Sequence, residues 1–108
     1  MVDFVEYKWK EPLGNLEEDF LFVRFNFIPE SGKILVFAII QTTIIAGEFV
    51  EVIRFDYSQN EGLHVHKFYT KNGDKCYLGE VVDFSMIEKL VGQVQENWRK
   101  YKLAFLNK

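Results

Sequence analysis

The sequence predicts an α+β fold: a four- or five-stranded antiparallel meander followed by one long C-terminal helix packed on one face of the sheet. Two observations carry this. From residue 20 to residue 78, runs rich in Phe, Val and Ile alternate with short segments of turn chemistry, which makes neighbouring runs hairpins. After residue 83 the spacing of apolar residues changes from two to three and four, the period of an amphipathic helix.

Residues 1–19 mix Phe4, Tyr7 and Trp9 with acids and the breakers Pro12-Leu13-Gly14-Asn15, and are expected to form an irregular arm with at most one short strand. Residues 20–28 form the first full strand, closed by Pro29-Glu30-Ser31-Gly32, and the chain resumes at 34–45. Ala46-Gly47 is a tight turn before the strand at 49–57, and Gln59-Asn60-Glu61-Gly62 precedes the strand at 63–70. Lys71-Asn72-Gly73-Asp74 reads as a type I′ turn leading to a short last strand at 75–78. Ser85-Met86-Ile87-Glu88 fits a capping box, with Asp83 just upstream, and Ile87, Val91, Val94, Trp98, Tyr101 and Phe105 form the stripe of a helix over 83–106.

The chain has 108 residues, 48% of them apolar, which suits one domain across 1–108: arm 1–19, sheet 20–82, helix 83–106. The single cysteine, Cys76, cannot form an internal disulfide and no secretion signal is visible, so a cytoplasmic protein is expected. The longest apolar run, 34–45, is interrupted by Gln41, Thr42 and Thr43 and is too short for a membrane helix. A net charge of −3 argues against a surface wholly devoted to nucleic acid but leaves room for a local basic patch. The tail residues Arg99, Lys100, Lys102 and Lys108 are one such cluster, although cations late in a helix also offset its dipole. No glycine-rich phosphate loop, nucleotide fingerprint or zinc-finger spacing occurs, and no cofactor is expected.

Side chains alternate along strands, so assumed turn lengths predict which residues share a face. A two-residue loop at Ala46-Gly47 places Phe37 opposite Asp56, and an odd loop centred on Asn60 places Asp56 opposite His64 and Arg54 opposite His66. The four-residue loop at 29–32 sets Arg24 opposite Phe37 and Asn26 opposite Leu35. One face then holds Leu21, Val23, Phe25, Phe27, Ile34, Val36, Ala38, Ile40, Phe49, Ile53, Phe55, Leu63, Val65 and Tyr69, and the helix should cover it. The other gathers Arg24, Asn26, Arg54, Asp56, His64 and His66 among Phe20, Phe22, Phe37, Ile39 and Phe68. So many large apolar groups beside charges call for partial cover by the arm, a ligand or a second copy of the chain, giving a homodimer through this face.

Three readings of that cluster stay open. His64 and His66 share a face and could join Asp56 as ligands of a metal, although Arg54 and Arg24 would oppose the cation and none is favoured. The two imidazoles could act as base and acid in attack of an RNA 2′-OH on its own phosphate, with Arg54 or Arg24 stabilising charge on phosphorus and Asp56 orienting one ring. The same residues could instead form a cross-strand polar ladder that fixes register and lines an interface, in a non-enzymatic interaction or ligand-binding module with Arg24, Asn26, Phe37 and Phe68 at its binding surface.

The stretch Phe49-Val50-Glu51-Val52-Ile53-Arg54-Phe55-Asp56, followed by Gly62-Leu63-His64-Val65-His66, by Asn72-Gly73-Asp74-Lys75 and by Trp98-Arg99-Lys100-Tyr101, resembles a family of small prokaryotic proteins. These carry a Val-X-Arg-Tyr-Asp strand, a His-containing next strand, an Asn/Asp-Gly turn and a late Trp-X-X-Tyr helix. More loosely the chain resembles the TumE-like toxins of toxin-antitoxin pairs. It departs from the pattern with Phe55 in place of Tyr and Glu61-Gly62 in place of a His-Gly turn. The resemblance implies a meander-plus-helix fold, an RNA-directed activity and an RNA or antitoxin partner.

Overall fold

In a computed structural model, which describes residues 3–79 and 82–108, the chain forms one six-stranded antiparallel sheet in sequence order, β1 to β6, and one helix. The strands are β1 (Val5–Pro12), β2 (Asp19–Ile28), β3 (Lys33–Ile45), β4 (Glu48–Ser58), β5 (Gly62–Lys67) and β6 (Asp74–Gly79), and the helix α1 spans Phe84–Leu106. Met1 and Val2 of the expected arm, and Glu80 and Val81 of the expected sheet, lie outside the described residues. The α+β expectation holds, with six strands where the sequence predicts four or five.

The extra strand is the supposed arm. All eight residues of β1 pair with β2, from Val5 opposite Phe27 to Pro12 opposite Phe20. Its sequence alternates Val5, Tyr7 and Trp9 with Glu6, Lys8 and Lys10, a period of two that fits a strand. Tyr7 and Trp9 turn to the helix side and pack on Phe25, and Tyr7 also stacks on Phe27. The chain then turns at Gly14, whose φ of +73° places a Cβ only 2.7 Å from the Trp98 ring, so glycine is required there.

The core lies between the sheet and α1. Leu21 and Val23 of β2, Phe37 and Ile39 of β3, Ile53 and Phe55 of β4, and Leu63 and Val65 of β5 meet Ile87, Leu90, Val94 and Trp98 of the helix, each 8% exposed or less. Burying each large side chain contributes about 1.5–3 kcal/mol. Helix capping is done by Asp83, whose carboxylate accepts from the Met86 N–H at 3.0 Å and from the Ser85 hydroxyl at 2.7 Å. Ser85 is therefore a donor to the cap inside the first turn, not the capping residue itself.

Two β-bulges redraw the faces of β3 and β4. Asn26 pairs with Val36 but Phe27 with Ile34, leaving Leu35 as an extra residue; Gln41 pairs with Ile53 but Thr42 with Glu51, leaving Val52 extra. Each insertion shifts side-chain parity by one residue. Phe37 and Ile39 thus enter the core, and Val36, Ala38 and Ile40 move to the outer face, the reverse of the sequence reading. Phe37 faces Tyr57 rather than Asp56, and the two rings stack with centroids 5.8 Å apart. Phe49 is also displaced outward, where it meets Phe20 and Phe22 edge-on. A wider loop than a type I′ turn joins β5 to β6: Lys67 pairs with Asp74, and Thr70 closes the loop by donating to Lys67 and accepting from the Asp74 N–H.

Three of the four tail cations are engaged within the chain. Lys102 bridges Glu18 at 2.8 Å and Asp19 at 2.9 Å, Arg99 lies over the Trp98 ring, and Lys108 donates to the Phe68 carbonyl. No basic residue stands in the last helical turn, so the dipole reading of these cations is replaced by tertiary contacts. No described helix is long and apolar enough to cross a membrane.

Candidate functional site on the outer sheet face

Antiparallel pairing carries side chains straight across the sheet, so the outer face is built in rows. One row runs Lys8, Arg24, Ala38, Asp56, His64 and Tyr77; the next runs Lys10, Phe22, Ile40, Arg54, His66 and Lys75. The sequence-predicted pairs Asp56–His64 and Arg54–His66 are both present. The three-residue loop after Ser58 sets this register, and Gly62 makes it possible. Its φ is +72°, and a Cβ there would fall 2.7 Å from the Tyr77 ring and 2.8 Å from the Gly79 carbonyl oxygen.

The charged groups form a continuous chain. Arg54 Nη1 donates to both carboxylate oxygens of Glu51, at 3.1 and 3.2 Å. Its Nε stands 3.5 Å from Asp56 Oδ2, and His66 Nε2 approaches the same oxygen to 3.2 Å. The side chains of Arg54, Asp56 and His66 keep about a quarter of their surface in water, between 24% and 28%, so the cluster is reachable. His66 stacks nearly parallel on Phe68, which fixes the ring plane. His64 lies against Tyr77, and its Nδ1 is buried with no hydrogen-bond partner among the described residues.

Glu51 was missed from sequence for a physical reason. Residues three apart in a regular strand point to opposite faces. The bulge at Val52 returns Glu51 to the face of Arg54 and makes the pair possible.

Two grooves cross this face and share Arg24, Ala38 and Arg54. The larger, about 550 Å³, sets Lys8, Lys10, Arg24 and Arg54 around a floor that includes Phe22, Ala38 and Ile40. The second, about 380 Å³, continues past Asn26 and Asp56 to Ser58 and Glu61. Lys10 is held by aromatic rings: its Nζ lies 4.2 Å from the centroid of Phe20 and 5.3 Å from that of Phe49. The face thus has a basic half, from β1 and β2, and an acidic and imidazole half around the β4–β5 turn.

Of the residues singled out from sequence, Arg24, Asn26, Arg54, Asp56, His64, His66 and Phe68 meet on or beside this face. Phe37 borders the second groove, but at 2% exposure it belongs to the core. The additional groups are Lys8, Lys10, Glu51 and Glu61, and the alternation of β1 was the available signal for the two lysines.

The architecture defines a single-layer antiparallel sheet with one face sealed by a helix and the other bearing a cation-lined groove. Residues 7–108 match a family model described as Domain of unknown function (DUF7718), and the chain belongs to that family. No curated protein and no solved structure matches it.

Proposed function

We propose that the outer face is a binding surface for a phosphate-bearing ligand, with single-stranded RNA as the class it suits. The observation that carries this reading is the convergence of Lys8, Lys10, Arg24 and Arg54 on one groove with an apolar floor, in a chain of net charge −3. Cations that track phosphates, beside aromatic rings on which bases stack, are the means by which proteins hold single strands. Phe22 lies in the groove and Phe49, 53% exposed, stands at its edge.

Fluorescence anisotropy with a labelled single-stranded RNA, titrated across a salt series, tests the reading. Binding should weaken linearly in log–log form with salt, and Lys8→Ala/Arg24→Ala should flatten the slope by about 0.7 for each phosphate no longer neutralised. Absence of saturable binding at low salt, or a slope unchanged in the variant, overturns it. A second copy of the chain on this face would exclude RNA, and light scattering at rising protein concentration separates that outcome.

One interaction favours a second reading, the metal-free acid-base chemistry of a TumE-like toxin. Asp56 Oδ2, 3.2 Å from His66 Nε2, is placed to orient that imidazole. In such a reaction one imidazole takes the proton of a ribose 2′-OH as its oxygen attacks the adjacent phosphorus. The other gives a proton to the departing 5′ oxygen, leaving a 2′,3′-cyclic phosphate, while Arg54 or Arg24 stabilises the charge on phosphorus. Expression of wild type should arrest growth and degrade RNA, and a His64→Ala/His66→Ala variant of matched stability should not. Equal harmlessness of the two sinks this reading.

A further inference from the structure

We infer that Asp56, Glu61 and His64 form a binding site for a divalent transition-metal cation at the acidic end of the outer face. Each offers one ligand atom, and the three atoms lie within 4.8 Å of one another. The set comes from a single hairpin: Asp56 on β4, Glu61 in the turn and His64 on β5, directly opposite Asp56. A cation held at about 2.0–2.2 Å needs its ligands roughly 3–3.5 Å apart, so any pair near the 4.8 Å limit must close by more than about 1 Å. Glu61 can supply that movement, because it is exposed and sits on a turn.

A further observation concerns His64 itself. Its Nδ1 is buried without a hydrogen-bond partner among the described residues, so the imidazole carries coordinating capacity that the protein itself does not use. The neighbouring groups complete the chemistry. His66 Nε2 and Arg54 Nε both approach Asp56 Oδ2, the kind of outer interaction that orients a ligating carboxylate. The electrostatic objection from Arg54 is met by Glu51, which accepts two hydrogen bonds from its guanidinium and offsets its charge. The site therefore presents two carboxylates and one imidazole to the cation.

One nitrogen and two carboxylate oxygens suit Mn²⁺, Fe²⁺ or Zn²⁺ better than the all-oxygen preference of Mg²⁺ or Ca²⁺. Three protein ligands leave coordination positions open. Asp56 and Glu61 also line the second groove, so a phosphate oxygen entering that groove comes within reach of the cation.

The inference is independent of RNA binding, and its test uses metal alone. Full-length protein freed of any affinity tag is titrated calorimetrically with Mn²⁺ and, separately, with Zn²⁺. The expected result is one equivalent per chain for at least one of them, weakened about tenfold or more by Glu61→Gln and by His64→Gln. Glu51→Gln, which removes no ligand but leaves Arg54 uncompensated, should weaken binding less than either. Circular dichroism checks that each variant is folded, and Glu61→Gln, an isosteric change at an exposed position, keeps the test valid if His64→Gln is not. Binding of neither metal, or binding at several equivalents that Glu61→Gln leaves unchanged, overturns the inference.

Discussion

The two faces of the sheet are made from the same strands, and each carries a charge network, yet the networks stand in different surroundings. Beneath the helix, Lys102 bridges Glu18 and Asp19, and Asp19 is 1% exposed. On the outer face, Glu51, Arg54, Asp56 and His66 touch one another with about a quarter of Arg54, Asp56 and His66 in water. A charge taken out of water must be paired for the fold to stand. A charge left partly in water is weakly held and stays available to a ligand. Position relative to the helix thus separates groups that maintain structure from groups that can do chemistry.

The largest test of that contrast is Phe37→Ala against Phe49→Ala. Phe37, 2% exposed, should cost about 3–5 kcal/mol in urea denaturation. Phe49, 53% exposed, should cost less than about 1 kcal/mol, because little of its surface is removed from water on folding. Should Phe37→Ala prove mild and instead abolish ligand binding, the parity shift at the Leu35 bulge is wrong and Phe37 returns to the outer face.

Next are the charge networks themselves. Lys102→Met strands the Asp19 carboxylate and should cost about 3 kcal/mol, whereas Arg54→Met should cost under about 1 kcal/mol. Comparable losses from the two would make the outer cluster a structural ladder. The Lys102 pair also has a pH signature. Burial works to lower the Lys102 pKa, but hydrogen bonds and attraction from Glu18 and Asp19 outweigh it and the net shift is upward. A raised folded value means the stabilisation is complete below the ordinary lysine range, near 10.4, and is lost as pH rises through the folded value. The stability difference between wild type and Lys102→Met should therefore stay constant at neutral pH and shrink only in strong alkali.

Much of this arrangement was legible in the sequence, because some features have local causes. The helix was readable from its stripe and its upstream Asp83, and the β4–β5 register from an odd turn ending in Gly62. The bulges were not. Nothing in Leu35 or Val52 marks either as an inserted residue, since the choice depends on how neighbouring strands twist against the helix. One unseen insertion exchanges the faces of everything beyond it, which is why sequence alternation alone puts Phe37 and Ile39 outside and Ala38 and Ile40 inside. β1 is longer than the one short strand expected in the arm, because the alternation of residues 5–10 continues into Pro12 at its end. The imidazoles were found because they sit on β5, whose pairing with β4 contains no bulge. Glu51 became part of the site only through the bulge at Val52.

The smallest expected effect lies at the helix start, on the boundary between the sealed and open faces. Asp83 has a pKa below the ordinary carboxylate range because the Ser85 hydroxyl and then the Met86 N–H hydrogen-bond to its charged form. A depressed folded value means that its stabilisation is present above the unfolded pKa, about 3.9, and disappears as pH falls through the folded one. Asp83→Ala should lower the melting temperature slightly at neutral pH, and the difference from wild type should shrink in acid as the charge-dependent part of the cap is lost. Asp83→Asn should retain most of the cap, since its amide oxygen still accepts from Met86, while losing the pH dependence. Neither change touches the outer face, so RNA and metal affinity should be unaltered in both. A cap variant that weakened either would mean that the helix, through the strands it covers, also sets the geometry of the open face.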